Sequence, residues 1–149
     1  MLTGIHPLLT GRLLAYLDAM GHSDAVVVAD AHFPAERLAS RILELPGLTS
    51  PDVLRAIRTV VPLDDAPALD LMTSATGAQL ALQDELIAAA GTTGADVRFV
   101  ERQIFYELSA QAFLIVRTGE SRKYGNALLR KGVVTADQTS AGTGKTPGP

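Results

Sequence analysis

The chain has 149 residues and a formal net charge of −3, with 47% apolar and 19% charged residues and no cysteine. That length suits one domain with a real core, and the lack of cysteine excludes a disulfide scaffold, a thiolate zinc or iron–sulfur site and a cysteine nucleophile. A mildly acidic balance with four Phe, three Tyr and no Trp offers neither the basic footprint nor the stacking platform that nucleic acid needs.

The opening Met1-Leu2-Thr3-Gly4-Ile5-His6-Pro7 lacks the basic and long apolar regions of a secretory signal, and no run approaches the roughly 18 apolar residues of a membrane span, so a cytosolic protein is expected. Residues 8–20 place Leu9, Leu13, Leu17 and Met20 at three- and four-residue spacings, a helix that Thr10 can cap and Gly21 can end. The β-branched run at 25–29 reads as a strand buried on both faces. Pro34 opens a predicted helix to Leu45, Pro46-Gly47 gives a turn, and Ser50-Pro51 starts a helix to Ile57. Strands are predicted at 59–63 and 69–73, an Ala- and Leu-rich helix at 78–90, a strand at 97–101, a helix at 103–112 and a buried strand at 113–116. A last strand at 127–134 is interrupted by Arg130-Lys131-Gly132. This alternation predicts an α/β protein: a three-layer α/β/α domain over residues 1–134 with a largely parallel sheet. Residues 135–149 hold no large apolar side chain and are expected to be a disordered tail.

Several motifs have an ordinary reading beside a functional one. Gly144-Lys145-Thr146 suggests a phosphate loop, but position 139 is Thr where that loop needs Gly, and Pro147-Gly148-Pro149 replaces the helix that should follow. His22, Asp30 and His32 could ligate a metal, yet none of them pairs at the i, i+4 spacing of metal-binding helices. Taken alone, His22 can be a polar turn residue in Gly21-His22-Ser23-Asp24, and Asp30 can cap the helix after it. Glu101-Arg102 and Tyr106-Glu107 can be solvated charge, and Lys123-Tyr124-Gly125-Asn126 can be ordinary loop. Against these stands the rule that ligands of open α/β sheets bind outside the carboxyl ends of strands, where Asp30, Arg102 and the segment after Val116 should gather.

Five segments in order, namely Gly21-His22-Ser23-Asp24, Asp30-Ala31-His32-Phe33-Pro34, Arg102 ahead of Phe105-Tyr106-Glu107, Thr118-Gly119-Glu120 and Lys123-Tyr124-Gly125-Asn126, resemble the fucose mutarotase family. The resemblance covers nearly everything but the tail. The sister ribose pyranases share the first turn, but typically read Asp-Ala-Gly-Leu-Pro and Tyr-Ala-Asn at the second and last segments. Leu108-Ser109 departs from relatives, in which a basic residue commonly follows Tyr-Glu. The resemblance implies a cofactor-free and metal-free isomerase that interconverts the pyranose anomers of a free monosaccharide such as L-fucose. It implies His22 as proton donor, with Asp30, Arg102, Tyr124, Gly125 and Asn126 binding the sugar, in a symmetric homo-oligomer, while composition alone leaves no nucleic-acid or membrane partner expected. Pyranose/furanose exchange, or sugar binding without turnover, are the alternatives.

The residue types suit that chemistry. Opening a hemiacetal takes a proton off the anomeric hydroxyl and puts one on the ring oxygen, work for a group titrating near neutrality such as histidine. Asp30, Arg102 and Asn126 accept, donate, and do both towards hydroxyls. Eight positions separate His22 from Asp30, up to roughly 26 Å of extended chain. A complete site is therefore expected at a contact between subunits.

Overall fold

A strand buried on both faces must be apolar throughout, and in β1 (Ala25–Ala29) the residues Val26, Val27, Val28 and Ala29 are fully buried. The computed structural model describes residues 1–65 and 67–140. Within them β1 is joined by β2 (Ile42–Leu45), β3 (Leu69–Met72), β4 (Val97–Val100), β5 (Leu114–Thr118) and β6 (Ala127–Arg130) in one sheet, ordered β2-β5-β1-β6-β3-β4. Every strand but β6 points the same way. β6 is antiparallel to both neighbours, with Val27 opposite Leu128 and Leu69 opposite Leu129. The sheet is thus largely parallel, as expected, with its single reversal in the middle.

Helices α1 (Gly11–Ala19), α3 (Ser50–Arg58) and α4 (Ala81–Ala90) cover one face, where Leu13, Leu17, Leu54, Ile57 and Leu86 pack on Val26, Val28, Leu69 and Leu129. Helices α2 (Ala35–Leu38) and α5 (Arg102–Ala110) cover the other, with Phe33 and Phe105 against Val27, Ile115 and Leu128. Each such fully buried side chain contributes about 1.5–3 kcal/mol. The result is the three-layer α/β/α arrangement. The caps follow the sequence: the Thr10 hydroxyl accepts from the Leu13 N–H, and Thr49 and Pro51 open α3.

Two element predictions are corrected. The helix expected from Pro34 to Leu45 stops at Leu38, and Ile42–Leu45 form the edge strand β2, with Leu43 opposite Val116. Glu and Leu favour helix locally, but β5 offers an open ladder and the alternation of buried Leu43 with exposed Glu44 fits it. The strand expected at 59–63 is absent. The chain leaves α3 in helical turns, with the Val60 and Val61 N–H groups both donating to the Ile57 carbonyl, and only Leu63 bridges to Lys131. Pro62, which has no N–H, could not extend a ladder there. In the expected tail, Ala136–Ser140 form a short helix, α6. Residues 141–149, including Gly144-Lys145-Thr146, lie outside the described residues.

Candidate active site

At the carboxyl end of the parallel strands, β1 delivers Asp30, β3 ends at Met72, and β4 turns into α5 at Arg102. The reversed β6 begins at the same end, so the turn at 123–126 arrives there as well. Asp30, His32, Phe33, Met72, Ala75, Arg102, Tyr106, Lys123, Tyr124 and Asn126 line a cleft of ≈ 470 Å³, a volume typical of small-molecule sites. Four of the six residues singled out in the sequence, Asp30, Arg102, Tyr124 and Asn126, meet in it, and Gly125 stands directly behind.

Asp30 is 4% exposed. Its Oδ1 accepts the His32 N–H at 3.0 Å, while Oδ2 accepts the Asn126 amide at 2.9 Å and the Gly125 N–H at 3.3 Å. The Asn126 carbonyl in turn accepts the Asp30 N–H at 2.8 Å, so the two side chains clasp each other across the end of the sheet. Burial pushes the Asp30 carboxyl above its ordinary value, and the donors from His32, Asn126 and Gly125 oppose that rise without cancelling it. A carboxylate offers about four lone-pair directions. Three are occupied, which leaves one for a ligand hydroxyl.

Apolar and cationic groups complete the cleft. The Phe33 ring stands edge-on to Tyr106 at 5.5 Å and to Phe105 at 5.9 Å, which fixes the Tyr106 wall. His32 joins the two loops through its Nε2, 3.1 Å from the Ser121 carbonyl. A carbonyl cannot donate, so Nε2 carries the hydrogen. Among the described residues the Arg102 and Lys123 side chains have no hydrogen-bond or ion-pair partner, so both are available to a ligand.

His22 lies elsewhere. The turn before β1 is tied to the end of β6 by the Ser23 N–H donating to the Lys131 carbonyl and the Lys131 N–H to the Asp24 carbonyl. Gly132 follows, so close to the 62–64 loop that a Cβ would lie 2.0 Å from the Leu63 carbonyl oxygen. That approach brings Asp64 beneath the turn. Its Oδ1 is 2.9 Å from His22 Nε2, and its Oδ2 accepts the Ser23 hydroxyl at 2.6 Å. The Ser23 hydroxyl first, then the imidazole, hold the Asp64 carboxyl below its ordinary value. The His22 side chain itself is 59% exposed. It sits at the amino end of β1 and Asp30 at the carboxyl end, so the five-residue strand alone sets them roughly 16 Å apart. Within one chain the metal arrangement of His22 with Asp30 and His32 is therefore not formed, and among the described residues of this chain no three or more His, Asp or Glu side chains are grouped so as to hold a metal ion.

Several groups of the site are not among the sugar-binding residues expected from the sequence. His32, Phe33, Tyr106 and Lys123 stood within the motif segments and could have been assigned from their proximity to Asp30, Arg102 and Tyr124. Met72 and Ala75 had only their place at the end of an apolar run as a signal, and Asp64, 42 positions from His22, had none.

Comparison with known proteins identifies the fold and the family. The sequence model of the RbsD / FucU transport protein family matches residues 3–134. The structure of the fucose mutarotase from Streptococcus pneumoniae, in complex with L-fucose, is 32% identical; the match covers 90% of this chain and 100% of that one, with a TM-score of 0.83. FucU from Bifidobacterium longum is 33% identical over 89% of this chain and 99% of its own, with a TM-score of 0.78. RbsD from Bacillus subtilis, complexed with D-ribose, shares the fold at 20% identity, covering 87% and 98% with a TM-score of 0.71. Among the described residues no helix is long and apolar enough to cross a membrane.

Proposed function

Because this chain belongs to the RbsD / FucU family, we propose that it is a sugar mutarotase that interconverts the α and β pyranose anomers of L-fucose, free in the cytosol, at sites completed between subunits of a homo-oligomer. The observation that carries the proposal is the cleft. It presents one free acceptor direction on Asp30, donors on Arg102, Lys123 and Asn126, and the Tyr106 and Tyr124 rings, a set suited to a neutral polyol with one apolar face.

In the proposed reaction the O1–H proton leaves the anomeric hydroxyl as the ring oxygen takes one. The C1–O5 bond breaks and C1 becomes a carbonyl carbon. Rotation about C1–C2 and the reverse proton transfers then close the ring on the other face. No electrons leave the sugar, and nothing beyond proton transfer is needed. His22 is the proposed proton donor, with Asp64 fixing its ring. Asp30, Arg102, Tyr124, Gly125 and Asn126 bind the sugar, Gly125 through its hold on the Asp30 carboxylate. Since His22 is a strand's length from its own cleft, the proposal has a second copy present its His22 turn to the cleft of the first.

Exchange NMR on a panel of free sugars tests this. Cross-peaks linking the two pyranose anomers of L-fucose, accelerated by the protein, are the expected result. Acceleration only between pyranose and furanose forms of a pentose would identify a pyranase instead. Saturation transfer without exchange would identify a binding module.

A further inference from the structure

The turn at 123–126 holds Tyr124 at a φ of 65°, a conformation that a residue with a Cβ keeps only where its surroundings hold it. Asp30 grips the turn from the cleft side. On the other side stands Glu120, 3% exposed. Its Oε1 accepts the Arg122 backbone N–H at 3.0 Å and Arg122 Nε at 2.9 Å, and its Oε2 accepts Arg122 Nη2 at 2.9 Å. Gly125 packs so tightly on it that a Cβ would lie 2.7 Å from the Glu120 Cγ.

Arg122 also reaches outward. Its Nη1 and Nη2 donate to Glu85 Oε1 at 2.9 Å and Oε2 at 3.1 Å, a two-toothed bridge to α4. Glu85, Arg122 and Glu120 thus form an acid–base–acid chain from the surface of α4 to the underside of Gly125, and none of the three lines the cleft.

We propose that Glu85 is a positioning residue for the sugar-binding turn, acting through Arg122 and Glu120 to hold Tyr124, Gly125 and Asn126 in their binding geometry. This rests on the reading of the cleft as a sugar site. The outer link, Glu85 to Arg122, is half exposed at both partners, so salt screens it. The inner link ends on a buried carboxylate and is screened far less. A neutral sugar has no charge for salt to act on, so a salt-dependent KM reports on the protein's own ion pairs.

The test compares wild type with Glu85→Gln and Glu85→Asp by exchange NMR on L-fucose at low and high salt, with hydrogen exchange at the Gly125 amide, which donates to Asp30. In Glu85→Gln, KM should rise about two- to fivefold with kcat little changed, and the Gly125 amide should exchange faster. Glu85→Asp should fall between. High salt should bring the wild-type KM up to that of Glu85→Gln and leave the variant flat. If wild type turns the sugar over and Glu85→Gln matches it in KM at both salt levels, the proposal is overturned. If wild type acts on no sugar, the sugar reading fails by itself and the Gly125 amide decides: faster exchange in Glu85→Gln supports the positioning role, and an unchanged rate overturns it.

Discussion

At the carboxyl end of β1, Asp30 is buried, receives three hydrogen bonds from its own loop and from the turn before β6, and is pushed above its ordinary pKa. At the amino end, Asp64 meets an exposed imidazole and a serine hydroxyl and is held below it. Both carboxylates sit beside loops that β6 ties to β1, because a reversed central strand has one terminus at each end of the sheet. On the proposed reading, one chain builds two half-sites. One is a walled cleft with its ligand groups fixed by backbone, and the other is a histidine oriented from below and open above.

Separating the halves by mutation should have the largest effect. His22→Ala should lose about 10²–10⁴-fold in exchange rate, the usual worth of positioned proton transfer, and Asp30→Ala should lose about 10–100-fold in kcat/KM, the worth of a hydrogen bond to a charged group in sugar binding. If the halves meet across a subunit contact, mixing the two variants under conditions of subunit exchange restores part of the activity. A mixture that stays inactive after exchange has been verified by mass spectrometry would mean that both groups serve one subunit, and the two-half reading would be broken.

A smaller effect isolates the histidine half. Asp64→Asn removes the negative charge under His22 and disturbs its orientation, and should lower kcat about tenfold, the scale of one hydrogen bond to a charged group. KM should stay near wild type, because the cleft is untouched. A raised KM with unchanged kcat would place Asp64 in sugar binding instead.

The pH dependence sharpens the same contrast. An ordinary Asp titrates at about 3.9. Asp30 lies above its ordinary value and Asp64 below, so acidification protonates Asp30 first. KM should therefore begin to rise on the acid side while Asp64 is still ionised. For stability the signs are opposite. Asp64 contributes stability that is present above its unfolded value and lost as pH falls through its lowered folded value, whereas the buried charge of Asp30 costs stability that is regained as pH falls through its raised folded value. Thermal melts of wild type and Asp64→Asn across the acid range read the first contribution, since the variant should lack that loss.

Most of the fold was legible because its signals are local. The buried run of β1, the Thr10 cap and the Ser50-Pro51 start need no partner to be recognised. β2 was not, because four residues of mixed propensity become a strand only when β5 is beside them. The strand-end rule pointed to Asp30, Arg102 and the segment after Val116, and the family resemblance of their short segments named Tyr124, Gly125 and Asn126. Asp64 could not be named, since its link to His22 depends on Gly132 letting one loop rest against another. The geometric difficulty with His22 was legible as well, because a strand's length follows from residue count alone.

The smallest expected effect concerns the residues beyond the domain. β6 leaves the sheet at the amino end of β1, where Arg130 lies opposite Ala25, so the segment after Val134 departs from the same end as His22. If that end meets a neighbouring subunit, the segment starts close to the contact. Residues 135–139 are exposed and lack large apolar side chains, so little burial is available to hold them against a partner. Truncation after Val134, which keeps the half-exposed valine that lines a surface pocket with Leu14 and Leu17, should leave kcat, KM and the oligomer mass unchanged and shift Tm by no more than about 2 °C, the effect of a few tenths of a kcal/mol in a domain of this size. A truncated protein that melts normally but dissociates and loses exchange would show that the tail clasps the neighbouring subunit, and that the open half-site is completed by more than the cleft.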